Sequence, residues 1–360
     1  MATAVTPPVM YDETEAMEAI ATYRQRGRRK AIAIAGLTLA AVVSFLIAVI
    51  VGPLDISLGQ VWNAVFRPEL VDEQTRTVIR TLRLPAAIMA VLVGVALSLA
   101  GAQMQTILDN PLAEPFTLGI SAAAAFGAAM SIVIGWVVLP NAQLNLAFTA
   151  ALSALVAVAI VAAAAVWKGA NAESMILLGI ALSFLFQALL SLLQYGANTE
   201  ALQQIVFWTM GSLQRANWTT TSILAVVIAV AIPFCVANSW RLTALRLGDD
   251  RAAALGINVA RLRITTLLVA SVLAAASVAF TGIIGFIGLV GPHVARMLVG
   301  EDQKFFLPAS AAAGAMLLSV AYAVSLSIIP GVAIPIGIIT ALVGVPFFIF
   351  LIFTRNRRKG

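Results

Sequence analysis

The sequence predicts an all-α protein that crosses a membrane about ten times. Hydrophobic residues make up 61% of its 360 residues, charged residues only 11%, and the mean hydropathy is +1.00. A soluble domain has roughly 45–50% apolar and about 25% charged residues. A chain this apolar cannot cover its surface with polar groups, so lipid is the solvent for most of it. The apolar composition and the single cysteine exclude a disordered chain and a disulfide-stapled domain. A nucleic-acid-binding protein is also excluded, because the basic residues stand at the ends of apolar runs.

Ten apolar runs have the length, or nearly the length, of a spanning helix, which needs about 20 residues. They contain no Asp, Glu or Lys, and Arg296 is their single Arg, near the end of its run. The glycine-rich stretch 282–291 divides residues 264–299 into two short spans. The predicted spans are residues 31–52, 85–107, 117–138, 143–167, 174–194, 218–239, 264–281, 283–299, 307–329 and 335–353.

The distribution of basic residues predicts the orientation. With both termini in the cytoplasm, 17 of the 22 Lys and Arg residues lie in inner segments and 5 in outer ones. Cytoplasmic loops of membrane proteins carry such an excess of Lys and Arg. We therefore expect a multi-pass membrane protein with both termini in the cytoplasm, with residues 1–30 as a cytoplasmic arm, residues 31–353 as the transmembrane domain, and residues 354–360 as a basic cytoplasmic tail.

The chain offers few residues for catalysis or metal binding. It has one histidine, His293, and one cysteine, Cys235, so a histidine-based triad and a cysteine-based metal site are not expected. It has no G-x-x-x-x-G-K-[ST] motif for nucleotide phosphates. The predicted spans also lack the carboxylates that ion-coupled carriers commonly hold at mid-membrane. We expect no cofactor, no metal and no enzymatic activity, and an ion-coupled secondary transporter stays as an alternative.

The longest inner loop, residues 240–263, is predicted to dock a cytoplasmic partner. Asp249 and Asp250 are expected to cap a short helix through their carboxylates, and Gly256 to end it in a left-handed conformation. A loop of this length is typical of a functional segment, whereas a plain connector would be shorter. The residues of this predicted platform are Gly248, Asp249, Asp250, Arg251, Ala254, Leu255 and Gly256.

Polar side chains stand in the inner half of the second span. The small residues of 94–101 allow helix backbones to approach closely, and prolines in 109–115 then interrupt the helix. Two interpretations of the polar residues remain open: they line a transport pathway, or they are satisfied inside packed helix interfaces. The pathway candidates are Ser98, Gln103, Met104 and Gln105.

Several short motifs occur in an order that resembles the FecCD family. Its members are permease subunits of ATP-binding-cassette (ABC) importers for ferric siderophores, haem and vitamin B12. The resemblance covers residues 54–353 and implies a type II importer fold, with ten helices in two inverted five-helix halves. The matching segments are residues 82–85, 94–101, 110–115, 208–213, 254–256, 285–293, 335–337 and 344–347.

The resemblance also implies a location in the bacterial inner (cytoplasmic) membrane and a set of partners. They are a second permease subunit of the same or a homologous chain, two ATP-binding subunits and an extracytoplasmic solute-binding protein, all around a pathway in the lipid bilayer. The expected cargo is an iron chelate, first a ferric siderophore, with haem, vitamin B12 or an oxyanion as alternatives. Residues 248–263 would dock on the ATPase. The inner gate would lie near Ala172, Glu173 and Ser174.

The sequence departs from the family at its outer surface. Many relatives use paired arginines there to hold acidic residues of the binding protein. This chain has Arg83 at one such position but Ala86 where relatives have the second arginine. Arg80 and Arg76 lie close by in sequence and are candidates to replace it. We therefore expect Arg83, Arg80 and Arg76 to dock the binding protein.

Overall fold

The computed structural model describes residues 13–168, 172–329 and 331–356. These residues form fourteen α-helices and no β-strand. In chain order the helices are α1 (Glu13–Ile50), α2 (Leu58–Phe66), α3 (Glu73–Thr77), α4 (Leu84–Ile107), α5 (Ile120–Ala129), α6 (Ala142–Lys168), α7 (Ala172–Tyr195), α8 (Thr199–Thr209), α9 (Trp218–Leu245), α10 (Asp249–Ala254), α11 (Val259–Thr281), α12 (Ile287–Val299), α13 (Gln303–Ser327) and α14 (Ile336–Asn356).

Ten of these helices are apolar and account for the predicted spans. Within the described part of the chain, seven helices are long and apolar enough to cross a membrane, and α5, α12 and α14 are shorter apolar helices. Five of the ten come before the short helix α8 and five after it. Because five is odd, the two halves cross in opposite directions. The predicted all-α class with about ten spans is confirmed.

Helix ends differ from the predicted span ends. Helix α1 already begins at Glu13, although the predicted span begins at residue 31, and α9 continues to Leu245. The apolar run marks only the part of a helix that lies in hydrocarbon, and both helices continue outside it through polar residues. The predicted span 117–138 is instead shorter, since Gly135 with φ of 69° ends the helical segment that began at Ile120.

The predicted division of residues 264–299 is confirmed. Helix α11 ends at Thr281, and α12 begins at Ile287. The connection depends on Gly282, which has a φ of 77°, and a Cβ there would overlap the backbone oxygen of Trp208. Such irregular backbone is tolerated at membrane depth where protein covers it. Ile284, in the middle of this connection, is completely buried.

Helix α4 lies at the centre of the bundle and packs against α9, α11, α12 and α13. Glycines allow this close approach: a Cβ at Gly94 would overlap the backbone of Gly314, and a Cβ at Gly101 would overlap that of Gly288. Short helices lie at both ends of the bundle, which are called the α2 end and the α10 end. Helix α4 begins at the α2 end, where α1 ends, and it finishes at the α10 end.

Candidate functional site

Helix α10 is a short exposed helix between α9 and α11. No side chain caps its N-terminus, contrary to the predicted capping by Asp249 and Asp250, because Gly248 occupies the N-cap position with a φ of 101°. Its other end follows the prediction, since Gly256 has a φ of 80°. Leu255 is 53% exposed. An exposed leucine beside charged residues is suited to contact a partner.

Asp249 forms an ion pair with Arg263 of α11. Arg263 Nη1 and Nη2 donate hydrogen bonds to the two carboxylate oxygens of Asp249 at 2.9 and 2.8 Å. Its Nε donates to the backbone oxygen of Ile107, the last residue of α4, at 2.7 Å. Such bidentate, charge-assisted contacts are strong and directional. Arg263 therefore links the exposed α10 to the buried α4, a role that spacing along the sequence did not indicate.

A second set of ion pairs reaches α4 from the same end. Arg246, which follows α9, lies 2.5 Å from a carboxylate oxygen of Glu301, and Arg296 of α12 lies 3.0 Å from the other oxygen. Arg296 Nη2 also donates to Gln105 Oε1 of α4 at 2.7 Å. The residues on both sides of α10 are thus connected to α4. Gln105 belongs to this network, although the sequence suggested a pathway position.

The other pathway candidates on α4 also lie in packed interfaces. Ser98 Oγ donates to the backbone oxygen of Ile287 at 3.0 Å, and Gln103 Nε2 donates to Cys235 Sγ at 2.7 Å. Met104 is completely buried. This is the packed-interface arrangement, one of the two interpretations that the sequence left open. A pathway along these residues would require α4 to separate from α9 and α12.

A cavity of about 830 Å³ lies at the α2 end, between α8, the turn 211–215 and the end of α13. Its volume is within the range of about 300–1,000 Å³ that is usual for ligand sites. Amide, aromatic and basic side chains line it, among them Gln203, Gln204, Phe207 and Arg215. Sequence analysis missed this site. The glutamine pair on a short helix between two spans was the available signal.

The gate candidates lie at the start of α7. Ala172 and Ser174 are half-buried and Glu173 is exposed, while residues 169–171 lie outside the described part of the chain. One helical turn further on, Ile176 lines a cavity of about 330 Å³ between α7 and the interrupted segment after α4. The gate candidates are therefore close to a second irregular segment. Their role as a gate remains a prediction.

Glu114 connects that interrupted segment to α12. Its carboxylate accepts a hydrogen bond from the backbone N–H of Phe286, the residue just before α12. Its Oε2 atom is buried and has no hydrogen-bond partner among the described residues. Burial raises the pKa of Glu114 to about 7. The carboxyl group lies next to the N-terminus of α12, which favours negative charge and opposes the effect of burial.

Arg83 has a different position from the predicted one. It is only 7% exposed, and its guanidinium donates to backbone oxygens at the end of α1: Ile50 at 2.5 Å, Val49 at 3.2 Å and Leu54 at 2.6 Å. It satisfies carbonyls that a helix C-terminus leaves without partners. In this structure the guanidinium is enclosed by the chain, and the docking role of Arg83 remains a prediction. Arg80 is exposed and Arg76 half-buried, so these two remain as surface candidates.

The family model for the FecCD transport family matches residues 39–354. The chain belongs to the FecCD transport family. It is therefore a multi-pass membrane protein of the ABC importer permease type, a transport subunit. Family membership decides against the alternative of an ion-coupled secondary transporter. The resemblance found in the short sequence motifs is confirmed.

Relatives with several cargoes are similar to this chain. The hemin transport system permease protein of Yersinia pestis is 35% identical over 86% of this chain and 92% of its own length. The molybdate import system permease protein of Haemophilus influenzae is 35% identical over 89% of this chain and 95% of its own. Further relatives are named for Fe(3+)-citrate and vitamin B12.

A solved structure is similar over nearly its whole length. It is described as a metal-chelate type ABC transporter in an inward-facing conformation, and it matches with a TM-score of 0.79 and 34% identity. The match covers 89% of this chain and 98% of that one. Fold and family are thus shared with this transporter, and the names of the relatives leave the cargo of this chain unspecified.

Proposed function

We propose that this chain forms the translocation pathway of an ABC importer for an iron chelate, with a ferric siderophore as the expected cargo. Two permease subunits, identical or homologous, enclose the pathway. Two ATP-binding subunits supply the work, and a solute-binding protein delivers the cargo. The observation that carries the proposal is the family match over residues 39–354, and the similarity to a metal-chelate type transporter supports it.

The cavity at the α2 end favours a chelate over a small oxyanion. Amide groups of Gln203 and Gln204 and the ring of Phe207 offer hydrogen bonds and apolar contact to a bulky organic ligand. Tight recognition of an oxyanion needs several converging charged or hydrogen-bond donors. Among the described lining residues, Arg215 is the one cation, and Glu200 adds a carboxylate that repels anions. The cavity is suited to a large ligand that is held weakly and then released.

We propose that α10 docks on the ATP-binding subunit through its exposed residues. The positive-inside bias supports an orientation with both termini, and hence the α10 end, in the cytoplasm. Movement of α10 on ATP binding then displaces Asp249 and, through Arg263, the end of α4 at Ile107. The pair of Arg246 and Glu301 carries the same movement to α12. In this way ATP hydrolysis switches the pathway between outward- and inward-facing states.

The solute-binding protein is proposed to dock at the opposite, α2 end. Arg80 is exposed there, Arg76 is half-buried, and both lie within one turn of the start of the helical segment that leads into α4. Charges at the rim of an interface steer association and set its salt dependence. An acidic surface on the binding protein would therefore be attracted to these two residues. The cavity at the same end would then receive the released cargo.

Transport by the reconstituted complex tests the proposed cargo. The permease is placed in liposomes with its ATP-binding subunits and its solute-binding protein, and uptake of a ferric siderophore, haem, vitamin B12 and molybdate is compared. We expect vanadate-sensitive uptake of the ferric siderophore above the other three. Preferred uptake of vitamin B12 or molybdate would contradict the iron-chelate proposal and leave the family assignment intact. A complex with an inactive ATP-binding subunit is the control.

A further inference from the structure

An apolar groove lies between α1 and α9. These two helices each pack on α4 and α13, but they make almost no contact with one another. The gap leaves a cavity of about 710 Å³ with α4 and α13 as its floor. Its walls are lipid-facing: Val42 of α1 is 49% exposed and Val236 of α9 is 67% exposed. Ala311 and Ala312 of α13 have small side chains and so leave space in the groove above α13.

The length of the groove corresponds to one leaflet of a bilayer. On α13 its lining extends from Gln303 to Ala315. At a rise of about 1.5 Å per residue, this stretch is about 18 Å long. The hydrocarbon core of a bilayer is about 30 Å thick, so one leaflet contributes about 15 Å. An acyl chain that starts at the α10 end can therefore follow the groove towards mid-membrane.

The α10 end of the groove is polar and basic. Ser239, Gln303 and Lys304 replace the apolar lining there. The ammonium groups of Lys304 and Lys30 lie 5.8 and 5.1 Å from the centre of the same Phe305 ring, one from α13 and one from α1. Among the described residues neither lysine forms an ion pair with a carboxylate. Lys304 lines the mouth of the groove, and Lys30 lies beside the Phe305 ring that Lys304 also contacts, so this end of an acyl-sized groove is complementary to a phosphate headgroup.

Further features at this end match the headgroup region. Trp240, next to Ser239 on α9, is 61% exposed, as is usual for tryptophan at a membrane interface. Four more basic residues of α1 precede Lys30 and are exposed: Arg24, Arg26, Arg28 and Arg29. A second copy of this chain seated on the groove would bring the same basic row into contact with itself. Like charges across an interface are unfavourable, so the occupant is not a second copy.

We propose that this groove is a binding site for an anionic phospholipid of the leaflet on the α10 side. One acyl chain lies between α1 and α9 on the alanines of α13, and the phosphate is held by Lys304 and Lys30. The lipid fills the gap that the two helices leave and supports α1 against the bundle. This site lies apart from α10 and from the cavity at the α2 end, and it does not depend on which cargo the protein carries.

Native mass spectrometry of the purified, delipidated full-length protein tests the site, with dioleoyl phosphatidylglycerol and dioleoyl phosphatidylcholine as probes. We expect the first phosphatidylglycerol to bind more tightly than phosphatidylcholine. Each lysine near a lipid headgroup contributes about 1 kcal/mol, so Lys304→Gln should weaken phosphatidylglycerol binding about fivefold and leave phosphatidylcholine unchanged. Arg67→Gln, an exposed arginine of the opposite end, is the matched charge control and should change neither affinity.

Filling the groove tests the acyl-chain position. Ala311→Phe, and independently Val42→Trp on the exposed wall, should each remove the tight phosphatidylglycerol site. Val230→Phe on a lipid-facing position of α9 outside the groove should leave it intact. Thermal unfolding of each variant shows that it is folded. Unchanged lipid affinity in a folded groove-filling variant, equal affinity for the two lipids, or a lipid-free dimer that either groove-filling substitution disrupts would overturn the proposal.

Discussion

Arg83 and Arg263 are buried at opposite ends of α4, and they bind different kinds of partner. Arg83, just before α4, donates to backbone oxygens of Val49 and Ile50 at the end of α1 and of Leu54 in the loop that follows, so its partners are all backbone groups. Arg263, at the other end, binds the last carbonyl of α4 and also the carboxylate of Asp249 on an exposed helix. One arginine therefore holds backbone at one end of the bundle, and the other joins the bundle to an exposed helix.

We expect the α2 end of α4 to be rigid and the α10 end to be able to move. Carbonyls at a helix end that lose a buried donor have no other partner, so the Arg83 contacts have no low-energy alternative. An ion pair with a half-exposed carboxylate can be replaced by water or by a partner, and Asp249 has a side-chain exposure of 52%. We therefore expect contacts at the α2 end to stabilise the folded subunit. We expect contacts at the α10 end to couple ATP hydrolysis to transport.

Arg83→Ala is expected to have the largest effect on folding. It leaves several backbone carbonyls at the end of α1 without their donor, and each unsatisfied buried group costs about 1–3 kcal/mol. We expect a loss of about 3 kcal/mol or more in the free energy of unfolding, measured by thermal and denaturant unfolding in detergent. Arg80→Ala, three residues earlier and exposed, is the control and should change stability by less than about 0.5 kcal/mol. Equal stability of the two variants would contradict the structural role of Arg83.

Asp249→Asn is expected to impair transport more than stability. The variant keeps an oxygen that can accept from Arg263 but loses the charge, so α10 is held more weakly. We expect ATP-driven uptake to fall at least about tenfold, which corresponds to about 1.4 kcal/mol of coupling, while the protein still inserts and unfolds near the wild-type temperature. Glu69→Gln is the control, because this exposed carboxylate lies at the opposite end of the bundle and forms no ion pair or hydrogen bond with the described residues. The prediction fails if the two variants transport equally well.

The spans could be predicted from sequence because apolarity and the glycine-rich break at 282–291 are local properties. The left-handed end of α10 at Gly256 could be predicted for the same reason. Contacts between distant segments could not. The partners of Arg83 lie 29 to 34 residues away, and Ile107 lies 156 residues from Arg263. Local spacing indicated only that Asp249 could cap α10. It gave no sign that the fold would bring Arg263 into contact with Asp249.

Cysteine labelling compares the packed interior of α4 with the cavity at the α2 end. In a Cys235→Ser background, cysteines replace Gln203 and Gln204 in the cavity and Ser98 and Met104 on α4. We expect a water-soluble maleimide to modify the two cavity positions and to leave the α4 positions protected, since both are completely buried. Labelling of Ser98→Cys that depends on ATP would instead show that α4 opens, and it would restore the pathway interpretation of these residues.

Arg80→Glu is expected to have the smallest effect, confined to association with the binding protein. A reversed rim charge mainly slows association, and we expect roughly a fivefold decrease at low salt. The difference should disappear near 1 M salt, where the screening length is about 3 Å. Surface plasmon resonance with the permease in nanodiscs measures these rates. Association that is unchanged at low salt in both Arg80→Glu and Arg76→Glu would place the docking surface elsewhere.

We infer that Asp249 and Arg263 act as one link between α10 and α4, and a double-mutant cycle measures whether they do. Uptake per ATP hydrolysed is measured in proteoliposomes for Asp249→Asn, Arg263→Gln and the double variant. If the two residues form one link, the double variant transports no worse than the poorer single variant, since the same contact cannot be lost twice. Effects that multiply in the double variant, or an uptake-to-hydrolysis ratio that Asp249→Asn leaves unchanged, would contradict the claim.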